Sequence, residues 1–533
     1  MADKKKVSLA VILIVVIVGA GAGYLMLTAP PAGNYTITVG TTYEIGRVPH
    51  PLTVQGGDDP VVFNIFEGLF GYIGDTLQIE PVLATDMGTV SSDGLNYTFS
   101  LRQGVRFQDG TPFNASCVNY YFHLVFTDGA GVTYVYTEGL LNHTEVVDTY
   151  TIKFVLNAPN SDFIDALCNF AGMIPSPTAI EKYGVANVND HPVGTGPFKL
   201  KSKVVDTQVV LERNDDWWQL KNGKSITVSQ VVFVQVSDPA TLKLSLENGE
   251  VDLTYGLFNA PDYPSLLNNS NLKSYDVSAS SSCRWLTFNM NASLWDVFSL
   301  KEMRQAFAYA IPYDEIISVA LNGLGERLYS FLPPEYAGYK HVFNYSYNPT
   351  EALSLIADAG FTPPVAVTLH ITPDHYGSAE ANIAALIQSR AADAGFDVSI
   401  VQEEYAAYKT AYKTTGSQEM CLWGWNANYV STDDWNTQFM SSYGWGTGYS
   451  MVTAGDMAAL YPYVDNLVQE AAATTNSTRK LEILTELQEL WAEWVPNIFV
   501  WRETQYQFSR ANIQGLVYGA TGWNFHLYNL IKT

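Results

Sequence analysis

Apolar and polar positions along the chain switch between two periods. Strand-like stretches lie at 35–39, 96–101, 150–156, 231–236, 365–371 and 396–401, with apolar residues alternating at 35–39 and 96–101. Such alternation predicts strands because successive side chains of an extended chain point to opposite faces. Apolar spacings of three and four predict helices over 60–70, 115–126, 239–248, 300–311, 349–359, 378–394, 457–473 and 477–494. Gly71, Gly249, Gly360 and Gly395 stand where four of these helices should stop. The last helix is apolar at Leu481, Leu484, Leu487, Leu490 and Trp491. Interleaved strands and helices predict mixed α/β layers. No period of 20–50 residues repeats, which excludes a solenoid.

The first 33 residues follow neither pattern. Lys4-Lys5-Lys6 precede an uncharged apolar run from Val7 to Leu27. At about 1.5 Å per residue that run spans a hydrocarbon layer of about 30 Å. The lysines should stay in the cytoplasm and the body should cross. A cleaved signal peptide is the alternative, but a small-residue cleavage site is poorly formed and Pro30-Pro31 follow directly. The first cysteine is Cys117, so an N-terminal lipid anchor on cysteine is excluded. Residues 29–33 form a Pro/Gly linker.

At 533 residues the chain exceeds one compact core, and two or three domains are expected. A net charge of −24 argues against nucleic acid or an anionic lipid surface as partner. Asn-x-Ser/Thr tripeptides at Asn34, Asn96, Asn114, Asn142, Asn268, Asn291, Asn344 and Asn476 suit a glycosylated surface protein. Cys117, Cys168, Cys283 and Cys421 lack zinc-ligand spacing. In an oxidising compartment they can form two disulfides in any of three pairings, with buried free thiols as the alternative.

Catalytic signatures are missing. Asn222-Gly223-Lys224-Ser225 lacks the upstream glycine of a phosphate-binding loop, since position 218 is Trp. There is no Gly-x-Ser-x-Gly and no His-Glu-x-x-His. His370 and His375 are poorly spaced for a shared metal, so no metal and no cofactor is implied. The densest binding chemistry is Trp423-Gly424-Trp425-Asn426-Ala427-Asn428-Tyr429. Two indoles, a phenol and two neutral amides suit a small polar ligand. Tryptophans at i and i+2 of a strand share one face, which describes a core equally well.

Several ordered blocks decide the class. Phe63-Asn64-Ile65-Phe66-Glu67-Gly68-Leu69-Phe70, the hairpin from Ser92 to Phe113, Val193-Gly194-Thr195-Gly196-Pro197-Phe198-Lys199-Leu200 and Leu211-Glu212-Arg213-Asn214 resemble the oligopeptide/dipeptide/nickel-binding family of ABC-importer extracytoplasmic solute-binding proteins. So do Glu247-Asn248-Gly249-Glu250-Val251-Asp252, Leu286-Thr287-Phe288-Asn289 and Val495-Pro496-Asn497. The resemblance implies an α/β, two-lobed periplasmic-binding-protein-like clamp of type II, in its large three-subdomain form, and the apolar run at 7–27 sets it behind an N-terminal transmembrane anchor. The divisions expected are anchor and linker 1–33, lobe 1 core 34–78, inserted subdomain 79–190, lobe 1 core 191–288, lobe 2 289–499, and a return to lobe 1 over 500–533.

It further implies an extracellular receptor, not an enzyme, that captures oligopeptides or dipeptides and delivers them to separate permease and ATPase subunits. A monomer held at the cell surface is expected. An oligosaccharide receptor of the same family is one alternative, and a cell-surface glycan hydrolase or a non-transporting sensor is another of a different class. In this family the segment at 423–429 lines the cleft, with Asp after the Ala holding a peptide's ammonium group. This chain has Asn428 there. Candidate ligand-binding residues are Trp425, Asn428, Asn426, Tyr429 and Trp423, with Tyr43, Glu44 and Arg284. Tyr443, Trp445 and Tyr449 are weaker candidates to cap the opening.

Overall fold

The computed structural model describes residues 35–43, 45, 50–53, 60–129, 133, 136, 140–277, 282–427, 430–444, 455–519 and 525–533. The apolar run at 7–27 lies outside them, and among the described residues no helix is long and apolar enough to cross a membrane.

Two large sheets organise the chain. One has seven strands in the order Leu272–Asp276, Tyr506–Arg510, Leu253–Tyr255, Tyr35–Thr41, Val228–Gln235, Gln208–Arg213 and Phe198–Val204. Its centre is parallel: Tyr35–Thr41 runs with both Val228–Gln235 and Leu253–Tyr255. The other has six strands in the order Gly325–Arg327, Asn497–Glu503, Ser282–Phe288, Met420–Asn426, Val365–Ile371 and Phe396–Gln402. A separate four-stranded sheet, drawn from Thr89–Val90, Asn96–Ser100, Leu141–Asp148 and Thr151–Leu156, carries the helix Ala115–Thr127. It shares a core with the seven-stranded sheet, whereas the six-stranded sheet has its own. The result is two lobes.

The crossing between lobes falls earlier than expected. Ser282–Phe288, assigned from sequence to the first lobe, pairs along its whole length with Met420–Asn426 in the second. The return strand Asn497–Glu503 likewise belongs wholly to the second sheet. The chain therefore passes from lobe to lobe just before residue 282 and again just after 503.

The helix expected over 60–70 is also corrected. Only Val62–Ile65 is helical, and Phe70–Tyr72 is a strand paired with Ile79–Pro81. The Ile65 carbonyl accepts from the Gly196 N–H at 2.9 Å and from Gln108 Nε2 at 3.2 Å, which takes it away from a helical partner. A Cβ on Gly194 would fall 2.1 Å from the Ile65 oxygen, so the Gly194-Thr195-Gly196 turn is glycine-rich for close packing of two backbones. Asn114 and Asn476 are helix N-caps, each accepting from the two or three following N–H positions. Capping accounts for two of the Asn-x-Ser/Thr tripeptides on structural grounds.

Of the two readings of the cysteines, this structure has the free thiols. All four cysteines are free and buried. Cys283 and Cys421 lie on neighbouring strands, but Cys283 faces Trp425 and Cys421 faces Thr287. Four positions of register, about 13 Å, separate them, well beyond the ~7 Å Cα limit for a disulfide.

Candidate functional site

Both sheets turn the carboxyl ends of their parallel strands toward the crossings. In the first lobe these ends are Thr41, Gln235 and Tyr255; in the second they are Ile371, Gln402 and Asn426. A crevice beyond such strand ends is where open α/β sheets bind ligands. On the first side Tyr43 follows its strand, with its ring 5.3 Å from that of Tyr255. Burial raises the Tyr43 phenol far above its ordinary value, and Tyr263 and Glu503 add to the effect. Glu44 lies outside the described residues.

On the second side the register sets opposite roles for neighbouring residues. Trp423 pairs with Trp285, and Trp425 with Cys283, on one face; Gly424 pairs with Arg284 on the other. Trp423 is fully buried, 4.7 and 4.6 Å from Tyr408 and Tyr412, so it belongs to the core and not to the crevice. Trp425 is half-buried and meets Trp435 and Phe439 edge-on at 4.9 and 5.0 Å. Asn428 and Tyr429, with Trp445 and Tyr449, fall outside the described residues, as does the side chain of Asn426. Tyr443 is 44% exposed.

Arg284 is buried rather than open to solvent. Its Nη2 donates to Glu380 Oε1 at 2.7 Å, and its guanidinium lies 3.7 Å from the Tyr376 ring centre and 5.4 Å from that of Trp501. Among the described residues, Nε and Nη1 are buried without a hydrogen-bond partner. Burial pushes the Glu380 carboxyl up, and Arg284 pulls it back. Gly424 makes this stack possible. A Cβ there would sit 2.6 Å from Arg284 Nη1 and 2.8 Å from Tyr376 Cε1. The Tyr376 hydroxyl closes the arrangement by donating to the Gly424 carbonyl at 3.0 Å. Sequence reasoning missed Tyr376 and Glu380; each meets Arg284 only through tertiary folding, and no local motif marks them.

A cavity of about 430 Å³ lies within the first lobe, beside Glu67, Trp217, Trp218, Arg102, Lys224 and Tyr528. Here three of the sequence blocks converge. Glu67 accepts from Thr195 Oγ1 at 2.7 Å, Trp217 Nε1 at 3.0 Å and Trp218 Nε1 at 2.8 Å. Burial nevertheless pushes this carboxyl up to about 7, against those three bonds and Arg102. Its acceptors are used by the protein, so Glu67 is a structural tie between blocks. Among the described residues no group of three His, Cys, Asp or Glu could hold a metal.

Two lobes joined by two crossings, with the carboxyl ends of the parallel strands of both turned toward those crossings, have the architecture of a clamp. The description "Bacterial extracellular solute-binding proteins, family 5 Middle" matches residues 78–447. The chain belongs to that family, and is thus a solute-binding protein of an ABC importer. Among its relatives is the glutathione-binding protein GsiB of Salmonella typhimurium, 28% identical over 445 residues, with 82% of this chain and 83% of the relative covered. Similar folds include the dipeptide-binding protein from Pseudoalteromonas sp. SM9913 in complex with Met-Leu (21% identity, TM-score 0.76, covering 94% of this chain and all of that one). NikA from Brucella suis in complex with Fe(III)-EDTA aligns at 19% identity and TM-score 0.80 over the same shares.

Proposed function

We propose that the protein is a membrane-tethered receptor that captures short peptides outside the cell and hands them, unaltered, to a permease driven by separate ATPase subunits. The observation that carries the reading is the pair of lobes whose parallel strands end toward the crossings, with Tyr43 and Tyr255 near the strand ends of one sheet and Trp425 near a strand end of the other. The aromatic rings offer flat apolar faces to side chains. GsiB and the Pseudoalteromonas protein are peptide binders by name, which supports the class.

Asn428 stands where peptide-binding members carry an Asp. A carboxylate–ammonium bond contributes roughly 1.5–3 kcal/mol and a neutral amide less. The receptor therefore selects weakly for a free α-amino group. The same neutral amides, with Trp425, favour an oligosaccharide as the second reading. The apolar run at 7–27 tethers the body to the membrane, and exposed Asn142, Asn268 and Asn344 are the acceptors for surface glycans.

A thermal-shift screen of peptide and oligosaccharide pools tests the reading. A peptide at 100 times its dissociation constant stabilises by roughly 2.7 kcal/mol. N-acetylated peptides should stabilise as well as free ones. A strict requirement for a free amine would show that another acid takes the place of the missing aspartate, and stabilisation by glycans alone would favour the second reading.

A further inference from the structure

Away from the crevice, the lobes meet along a seam built from charge. Ser161 donates its N–H to the Ala472 carbonyl at 2.8 Å, and Asn160 Nδ2 donates to Asp433 Oδ2 at 3.0 Å. Asp162 accepts Lys480 Nζ on Oδ1 at 2.5 Å and Ser431 Oγ on Oδ2 at 2.5 Å. Lys480 also donates to Ser161 Oγ at 2.9 Å. Nearby, Tyr72 packs against both cores, and its hydroxyl accepts the Val430 N–H at 3.1 Å. Residues 160–165 ride on the first lobe, where Phe163 and Ala166 are buried; Asp433 and Lys480 ride on helices of the second.

Charge at the seam is unbalanced. Lys480 faces Asp162, and Asp165 and Asp433 crowd the same place, with Asp434 buried beside Asp433. Among the described residues the other titratable neighbours include Tyr72, Tyr97, Tyr336, Tyr443, Asp465 and Cys168, none of which supplies a cation. Arg479, next to Lys480, turns instead to Glu470 at 2.7 Å.

We propose that this seam is a latch: Asp162 and Lys480 hold the rim of the clamp shut, and the crowding of Asp165 and Asp433 around them makes closure proton-linked. Solute retention is then adjusted by residues that never touch the solute. The proposal rests on the clamp reading above.

Burial pushes Asp165 up to about 8 and Asp433 up to about 6, and the charge of Asp162 adds to both. Burial pushes Asp162 the same way, but the charge and hydrogen bond of Lys480, with the bonds from Ser431 and Ser161, hold it below its ordinary 3.8. Opening parts Asp162 and Asp165 from Asp433 and Lys480 and wets them, returning the three carboxyls toward their ordinary value. The two raised groups therefore take up protons on closing. Their contribution favours the shut form in full below 3.8 and is lost as pH rises, by about 6 for Asp433 and by about 8 for Asp165. The contribution of Asp162 is present above 3.8 and disappears only in stronger acid. Closure should be firmest near about pH 4 and should weaken as pH rises to about 8.

The test needs no solute. Nitroxide labels at Thr149→Cys and Glu489→Cys, both exposed, report the distance between lobes on the full chain by pulsed dipolar spectroscopy. The parent should show one short distance at pH 5 and a growing longer one between pH 6 and 8. The double substitution Asp165→Asn with Asp433→Asn should keep the short distance to pH 9. Lys480→Met should show the long distance already near pH 6, with its melting temperature confirming a folded chain. A parent distribution that ignores pH, or a double variant that opens on the parent profile, overturns the latch. A chain that opens and shuts with pH yet retains no peptide overturns the receptor reading and leaves the latch standing.

Discussion

A buried arginine lies against a glycine on the neighbouring strand. Arg284 shares its charge with Glu380, which is itself fully enclosed. Removing one member of such a pair leaves the other charged and dry, at a cost of about 3–5 kcal/mol. Arg284→Ala should lower stability by that amount in a denaturant titration, and Arg284→Ala with Glu380→Ala should recover a good part of it. Gly424→Ala acts on the same stack. Its new methyl must displace Arg284 Nη1 or Tyr376, which should cost about 1–3 kcal/mol and lower the melting temperature. Glu67 gives a pH-dependent case. Its folded value near 7 lies above its ordinary 4.5, so its contribution to stability is full below 4.5 and is lost as pH rises toward 7. Glu67→Gln has no such titration. Relative to the parent it should gain on the order of 3 kcal/mol between pH 4.5 and 7.5, as read from paired melting curves.

At the scale of elements, periodicity was informative wherever a helix or strand has one wet face. The helix Ser477–Trp494 was legible from its leucines, and Leu484, Leu487 and Trp491 are buried. Leu481 is 45% exposed, and Gln488 is buried in its stead, held by Ser330, Lys340, Gly338 and the Leu484 carbonyl. Leu487→Ala should cost about 2–5 kcal/mol, whereas Leu481→Lys should leave the melting temperature nearly unchanged. The segment at 60–70 was misread because its residues are buried whatever their spacing, and its backbone bonds go to Gly196 and Met173 from elsewhere in the chain. The strand Met420–Asn426 shows the same limit within the site. Composition drew attention to both tryptophans, but only the register with Ser282–Phe288 sends Trp423 into the core and sets Arg284 beside Gly424. The partners Tyr376 and Glu380 carry no local signal, since the Arg284–Glu380 bond joins residues 96 positions apart.

For the whole molecule, the two-lobed α/β class was legible because glycines and buried polar ties recur in fixed blocks. Glu67, Thr195, Trp217 and Trp218 show why: blocks distant in sequence meet at one carboxylate. The seam between lobes was not legible, because Asn160, Ser161 and Asp162 look like an ordinary polar loop until Lys480 and Ser431 are folded against them. A clamp with two crossings shuts only as far as its solute prefers the shut form. The solute proposed for this clamp is a short peptide, held and released intact. Equilibration of the full-length protein with a defined library of two- to five-residue peptides, removal of unbound material, and mass spectrometry of what the denatured protein releases tests this most directly. Capture of a subset of library peptides, each intact and at no more than one per chain, is the predicted result. Recovery of no peptide, or of shortened ones, would contradict it.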